Sequence, residues 1–424
     1  MAEDLLDLAD RLWRGDADVT DHHPITGMFG EIAELGSTAA FVAAFSNVAA
    51  FATEDGMVLV DTSSPFLAGR VHDVLREWRG DTLHTAVFTH GHIDHVFGVE
   101  RYEADARERG ANPPRVVAHE AVPARFDRYI ATAGYNTAIN RRQFGLDRGF
   151  AWPTEYRYPD DTYRDAMVLD VGGVHFELHH ARGETDDHTW VWLPEPRILC
   201  TGDLFIWASP NCGNPQKVQR YPKDWSVALR TMASLGAEAL LPGHGLPILG
   251  ADRVGESLET TAALLDVLHD DTLRMMNEGA RLDEIIHAVH APPSLLEKPY
   301  LRPIYDEPEF VVRNVWRLYG GWHDGNPAHL KPAPDAVLAA EVAKLAGGPA
   351  RLAARARELV AAGDLRLAGH FAEWAAAAAP DDAEAQRARA EVFEARVAAE
   401  ASTMSKGIFG AAARESRERL GDDR

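Results

Sequence analysis

At 424 residues the chain is too long for one ordinary hydrophobic core, and its length points to two or three domains. A formal charge of -22, from 65 acidic against 43 basic residues, argues against nucleic acid or an anionic membrane surface as a partner drawn in by a long-range field. Only Cys200 and Cys212 are present, so no disulfide framework can be argued, and the count fits a reducing compartment.

The first ten residues, MAEDLLDLAD, are acidic where a secretory signal is basic. The alanine-rich runs near residues 336–362 and 367–379 are broken by charges, Gly or Pro before a membrane span is reached. The expectation is a soluble, cytoplasmic protein.

From about residue 25 to 250, short β-rich runs alternate with turns and amphipathic helical stretches, the pattern of a layered α/β domain. Residues 51–61 (FATEDGMVLVD) read as two strands around the turn Glu54-Asp55-Gly56. A helix is expected over 66–79 and a buried strand over 83–89 (LHTAVFT). A helix over 96–109, a strand at 115–119 and another at 174–180 follow, with two more around Pro194-Glu195-Pro196. A helix over 225–235 precedes a strand at 238–241.

Beyond residue 250 the strand signals stop, and Ala, Leu, Glu and Arg recur at helical spacing, interrupted by a Pro-rich segment from 291 to 308. Residues 352–379, the turn Pro380-Asp381-Asp382 and residues 383–400 read as a helical hairpin with an N-capping aspartate, similar to a single tetratricopeptide-like unit. This half holds no cluster of ligand-type residues, so a scaffold or oligomerisation role is expected of it.

Chemistry concentrates in Thr89-His90-Gly91-His92-Ile93-Asp94-His95, where a buried strand delivers three histidines and an aspartate into the turn before a helix. On extended backbone, residues at i and i+2 point the same way, so His90 and His92 can grip one ion. Asp94 and His95, at the turn into the helix, project toward a second. Imidazole and carboxylate suit zinc, with manganese and iron as alternatives.

This heptapeptide resembles the HxHxDH motif of the metallo-β-lactamase superfamily, and further segments follow in that family's order through residue 250. The resemblance implies an αββα sandwich and a supporting role for Asp61, which orients the metal loop without touching an ion. It also implies Asp203, in Cys200-Thr201-Gly202-Asp203, as a bridging carboxylate, and His244, in Leu241-Pro242-Gly243-His244-Gly245, as the last histidine. Where most members carry a histidine this chain has Glu184, which is similar to the alkylsulfatase branch. The resemblance thus gives His90, His92 and Glu184 to a first zinc ion and Asp94, His95 and His244 to a second, with Asp203 between them. His188 is either an alternative to Glu184 or a supporting residue.

Residues 319–327 (YGGWHDGNP) and the helices through Arg419 resemble the alkylsulfatase dimerisation domain, which implies a homodimer. The sterol-carrier-like domain that the resemblance attributes to long alkylsulfatases is not expected in this chain. The expected organisation is a catalytic domain over 1–250, a helical and Pro-rich connector over 251–308 and an all-α dimerisation domain over 309–424.

The implied activity is hydrolysis of a small anionic ester, a sulfate of an apolar alcohol, by water whose pKa two ions lower from about 15.7 toward about 7. Asp94 and Asp203 would be the catalytic carboxylates. Phosphate esters, carboxylic esters and lactones are alternative substrates for the same chemistry. In the family, Asn, Tyr and Arg hold the sulfate; the comparable stretches contain Tyr135, Asn136 and Arg141, then Lys217 and Arg220, while the expected arginine position is occupied by Pro215. Phe205 and Trp207 either wall the alcohol pocket or pack in the core.

Overall fold

The computed structural model describes residues 4–26 and 30–422, so the first three residues of the acidic amino terminus lie outside the described residues. The chain divides into two compact units, one formed by 1–133 and 153–321, the other by 134–152 and 322–424.

The first unit is built on two mixed sheets. One runs β1 (Glu31–Leu35), β2 (Ala39–Ala43), β3 (Val48–Thr53), β4 (Gly56–Val60), β5 (Leu83–Val87), β6 (Arg115–His119) and β7 (Asp161–Tyr163) in chain order. The other contains β8 (Ala166–Val171), β9 (Val174–His180), β10 (Thr189–Leu193), β11 (Ile198–Ile206), β12 (Ala239–His244) and β13 (Ile248–Leu249), ordered β13-β12-β11-β10-β9-β8.

Strands β2, β3 and β4 are apolar at nearly every position and buried accordingly, as strands covered on both faces must be. The expected turn at Glu54-Asp55-Gly56 joins β3 to β4, with Thr53 opposite Gly56. Gly56 has φ 125°, and a Cβ there would stand 2.6 Å from the Thr82 carbonyl oxygen, so the turn requires glycine.

Parallel pairing of β4 with β5 and of β5 with β6 needs crossovers, supplied by the helices Ala68–Trp78 and Val99–Glu108. Their apolar stripes (Val71, Val74 and Leu75; Val99 and Tyr102) pack with Met57, Leu59, Leu83, Ala86 and Val116 in one core. The second sheet faces the first, since Phe51 of β3 meets Phe176 of β9 edge to face at 5.6 Å. The helix Pro222–Ala233 is tied to the second sheet by Trp225, whose Nε1 donates to the Leu204 carbonyl at 2.7 Å. The αββα arrangement is therefore present.

The helix expected over 96–109 is two pieces, Ile93–Val96 and Val99–Glu108. Gly98 separates them because its amide donates to Thr62 Oγ1 at 3.1 Å and its Cα lies against the Thr62 backbone, where a Cβ would be 2.0 Å from the carbonyl oxygen. That docking places the histidine segment at the carboxyl ends of the parallel strands β4 and β5, where open α/β sheets bind ligands.

The second unit contains the helices Asp335–Ala346, Pro349–Ala361, Leu365–Ala378, Ala383–Ala399 and Thr403–Leu420. Alanines carry its core: Ala353, Ala356, Ala368, Ala372, Ala375, Ala385 and Ala388 are all fully buried, and their small side chains let helices approach closely. The single helix expected over 352–379 is broken at Gly363, whose φ of 80° ends one helix in the left-handed conformation. Asp364 then caps the next by accepting from the Leu367 amide at 3.2 Å. The N-capping aspartate expected in Pro380-Asp381-Asp382 is Asp382, which accepts from the Ala385 amide at 2.8 Å. Among the described residues no helix is long and apolar enough to cross a membrane.

Candidate metal centre

Strand β5 ends at Val87, and the next eight residues carry four of the expected side chains into one pocket wall. His90 Nε2 and His92 Nδ1 approach to 2.7 Å, and Glu184 Oε2, from the loop between β9 and β10, lies 3.4 Å from the first and 3.3 Å from the second. Asp203, on β11, places Oδ2 3.8 Å from His90 Nε2 and Oδ1 3.4 Å from His95 Nε2. His244, at the end of β12, has Nε2 3.2 Å from Asp203 Oδ2 and 3.5 Å from Asp94 Oδ2. Donor atoms of His90, His92, Glu184 and Asp203 all lie within 4.8 Å of one another, as do those of Asp94, His95 and His244. The seven side chains expected to converge are brought together in two adjacent groups, with Asp203 facing both.

A structural cluster would satisfy its own buried polar atoms. This one does not: His95 Nε2, Glu184 Oε2 and Asp203 Oδ1 are buried and lack a hydrogen-bond partner, and all three point into the cluster. Nitrogen and carboxylate donors left unsatisfied around one centre are what a divalent cation requires, so the residues fit a metal site.

Supporting contacts aim the donors. Asp61 accepts from the Thr89 amide at 2.7 Å and the Thr89 hydroxyl at 2.8 Å, and its Oδ2 lies 2.7 Å from His95 Nδ1, leaving Nε2 for the cluster. It does so from a left-handed backbone conformation, φ 62°, which for a residue other than glycine is held by surrounding contacts. His244 Nδ1 is paired with the Phe45 carbonyl. His188 stacks on His90 at 4.7 Å and accepts the Asp203 amide on Nε2 at 3.1 Å, so that nitrogen is already engaged by the backbone. Burial holds its imidazole neutral, with the pKa pushed down to about 4.

Charges inside the cluster stabilise one another. Burial alone would raise the Asp203 carboxyl, but His244 and His95 outweigh it and hold it well below the usual carboxylate range. Glu184 is likewise held low against its burial by Arg220 and His92. Burial and the neighbouring His95 and His92 lower His90 well below an ordinary histidine, keeping the ring in the neutral form that ligates.

The residues considered for the anion are distributed differently. Arg220 is buried and its guanidinium pairs with Glu184 Oε1 and the Asn211 carbonyl. Lys217 is half-buried, and its ammonium, lowered to about 8 by burial and by Arg220, lies within the field of Asp94 and Glu184. Tyr135, Asn136 and Arg141 belong to the other compact unit, where Arg141 donates to the Phe150 carbonyl at 3.0 Å. Phe205 and Trp207 are fully buried, and Trp207 Nε1 donates to the Leu246 carbonyl at 2.7 Å, which makes them core.

Sequence reasoning missed several contributors. Asn211 donates to Glu184 Oε1 at 2.6 Å. Asn47 clamps the His244 loop by donating to the carbonyls of Pro242 and Gly245, each at 3.0 Å. Tyr305 is buried in the field of Asp94, Glu184 and Asp203; burial first, then those carboxylates, push its phenol far up and keep it protonated. None belongs to a spaced motif of ligand-type residues, which is why no local signal marks them.

Residues 42–244 match the metallo-beta-lactamase superfamily, and residues 281–419 match the alkyl sulfatase dimerisation family. The chain is 28% identical over 349 residues to a linear primary-alkylsulfatase from Pseudomonas sp., covering 76% of this chain and 63% of that one. It is 25% identical to an (R)-specific secondary-alkylsulfatase from Pseudomonas sp., covering 82% of this chain and 56% of the other. The chain thus spans less than two thirds of the length of either relative. The solved structure of the stereoselective inverting sec-alkylsulfatase Pisa1 from Pseudomonas sp. superposes with a TM-score of 0.82 at 23% identity, over 92% of this chain and 66% of that one, a likeness of fold. The chain thus carries a metallo-beta-lactamase superfamily region followed by a region of the alkyl sulfatase dimerisation family.

Proposed function

We propose that this protein is a hydrolase of sulfate esters of apolar alcohols that works with two zinc ions, the first held by His90, His92 and Glu184, the second by Asp94, His95 and His244, with Asp203 shared. The observation that carries the reading is the convergence of these seven side chains with three buried donor atoms left unpartnered. The names of the relatives support the choice of ester.

Two divalent ions, when bound, make water acidic enough to ionise near neutral pH, lowering its pKa from about 15.7 to about 7, and polarise an ester oxygen. The protein's part is to place and tune the groups around that chemistry. Asp94 is half-buried, with Oδ2 turned to His95 and His244, so its remaining oxygen is the acceptor for the proton of the attacking water. Lys217 supplies a local positive charge for the sulfate in a chain whose net charge is -22. Tyr305, kept protonated by burial and by the nearby carboxylates, adds no negative charge to the site. Arg220 acts on Glu184 and not on the substrate. Tyr135, Asn136 and Arg141 stay outside this assignment.

The working form is a cytoplasmic homodimer assembled through the helical region 309–424, a setting that the two buried free thiols fit. The test is incubation of zinc-loaded protein in labelled water with alkyl and aryl sulfates, phosphate esters and lactones. Sulfate release is expected, with the label identifying whether carbon or sulfur is attacked; turnover of another ester without sulfate release would move the substrate assignment and leave the metal reading intact.

A further inference from the structure

One fully buried ion pair in the first unit is used by nothing described so far. Arg125 and Asp187 are 2% and 0% exposed, and Arg125 Nε donates to Asp187 Oδ2 at 2.6 Å. The same oxygen accepts the Gly91 amide at 3.0 Å. Gly91 stands between His90 and His92 and is pressed against the pair: a Cβ there would lie 2.8 Å from Arg125 Cδ and 3.1 Å from Asp187 Oδ2. One turn along the helix Val122–Ala131 from Arg125, the buried Tyr129 ring sits 6.4 Å from that of His92.

Stability alone is a poor account of this arrangement. Removing two charges from water costs more than their attraction reliably returns, and an apolar pair of similar volume is often as stable or more so. Direction is what an ion pair adds and an apolar pair lacks. The guanidinium fixes one carboxylate oxygen, and that oxygen fixes one amide. Asp61 performs the matching task on the other flank, through Thr89 and His95.

We propose that the Arg125–Asp187 pair is a positioning clamp on the His90-Gly91-His92 segment, setting the separation of the two imidazoles for the first ion and leaving the second alone. The proposal rests on the two-ion reading. Asp187 remains ionised throughout the working range, because Arg125 overcomes the effect of its burial and holds it at about 2, so the clamp does not release with pH.

The experiment is a titration of metal-free protein with cobalt(II), read by visible absorption and by competition with a chelator, with Glu184→Gln marking the absorption of the first site. In Asp187→Asn the first-site affinity is expected to fall about 10–100-fold, with the second site within twofold of wild type. The double variant Arg125→Met/Asp187→Leu is expected to unfold in urea at or above the wild-type midpoint and to keep the weakened first site, which separates positioning from folding. Equal weakening at both sites, wild-type affinity in a folded variant, or failure of both variants to fold would each overturn the clamp. Wild-type protein that takes up no cobalt would instead overturn the two-ion reading.

Discussion

Arg220 grips Glu184 by the carboxylate oxygen that faces away from His90 and His92. Oε1 is taken by the Arg220 guanidinium and by Asn211 at 2.6 Å, while Oε2 lies 3.3 Å from His92 Nδ1 with no partner of its own. The resemblance implies a histidine at this position in most related chains; Glu184 stands there instead, and a buried carboxylate needs a cation that a histidine would not.

Arg220→Met should therefore leave Glu184 as an uncompensated buried charge. A loss of about 3–5 kcal/mol is expected in urea unfolding of the metal-free protein. Zinc should recover part of that loss by supplying the missing positive charge, so the deficit must be smaller in zinc-loaded protein; an equal deficit in both forms contradicts the pairing.

Glu184→Gln removes the charge but keeps the shape and the contact with Arg220. Tightly held zinc, measured by atomic absorption after dialysis, should drop from two equivalents to one, and sulfate release should fall by at least about 10²-fold if Glu184 helps hold an ion that stabilises the transition state. Retention of two equivalents would remove Glu184 from the ligand set.

Asp306 gives a pH dependence whose sign is fixed by burial. Its carboxyl accepts the amides of Gly213 and Glu307, but burial dominates and pushes its pKa from 3.8 to about 7. A folded-state value above the unfolded one means that Asp306 contributes stability in full below about pH 4, and that the contribution is lost as pH rises through about 7. Asp306→Asn keeps an acceptor oxygen and cannot ionise. Between pH 4 and pH 8 the wild type should lose a few kcal/mol more stability than the variant, roughly 1.4 kcal/mol for each tenfold change in the proton equilibrium. Parallel pH profiles of the two metal-free proteins in urea would refute it.

Gly98→Ala should destabilise the first unit by about 1–3 kcal/mol, because its Cβ meets backbone that cannot rotate away, 2.0 Å from the Thr62 oxygen. Since Gly98 is separated from His95 only by Val96 and Phe97, the variant's zinc affinity should fall as well. A thermal melt with a wild-type midpoint would show that the two backbones can part at no cost.

The proposed dimer makes a prediction from the second unit alone. On the helix Asp335–Ala346, Leu338 is 50% and Leu345 91% exposed, two turns apart on one face. Leu338→Glu/Leu345→Glu should give monomers in sedimentation with the melting temperature of the helical region unchanged, as fits an apolar patch that covers another chain. A variant that sediments as the wild type does would move the contact elsewhere.

What could be read from the chain alone was what neighbours in sequence encode. Residues 89–95 announce a metal site because strand spacing puts alternate side chains on one face, and the hairpin at Glu54-Asp55-Gly56 follows from turn chemistry within a few positions. Glu184, Asp203 and His244 entered only through family resemblance, since nothing local singles out a lone glutamate or aspartate at the end of a strand. The break at Gly363 and the split at Gly98 were missed: the first glycine stands within a long helical pattern, and the second answers to Thr62, 36 residues away.

The tertiary structure alone decided which charge serves which partner. Arg220 lay among the candidates for an anion, and the fold turns it onto Glu184; Arg125 and Asp187, 62 residues apart, carry no mark in the sequence, and the fold closes them on Gly91. The reason is physical. Periodicity and turn preference act over a few residues of backbone, whereas an ion pair between distant segments depends on sheet register and loop path, which only the packed chain possesses.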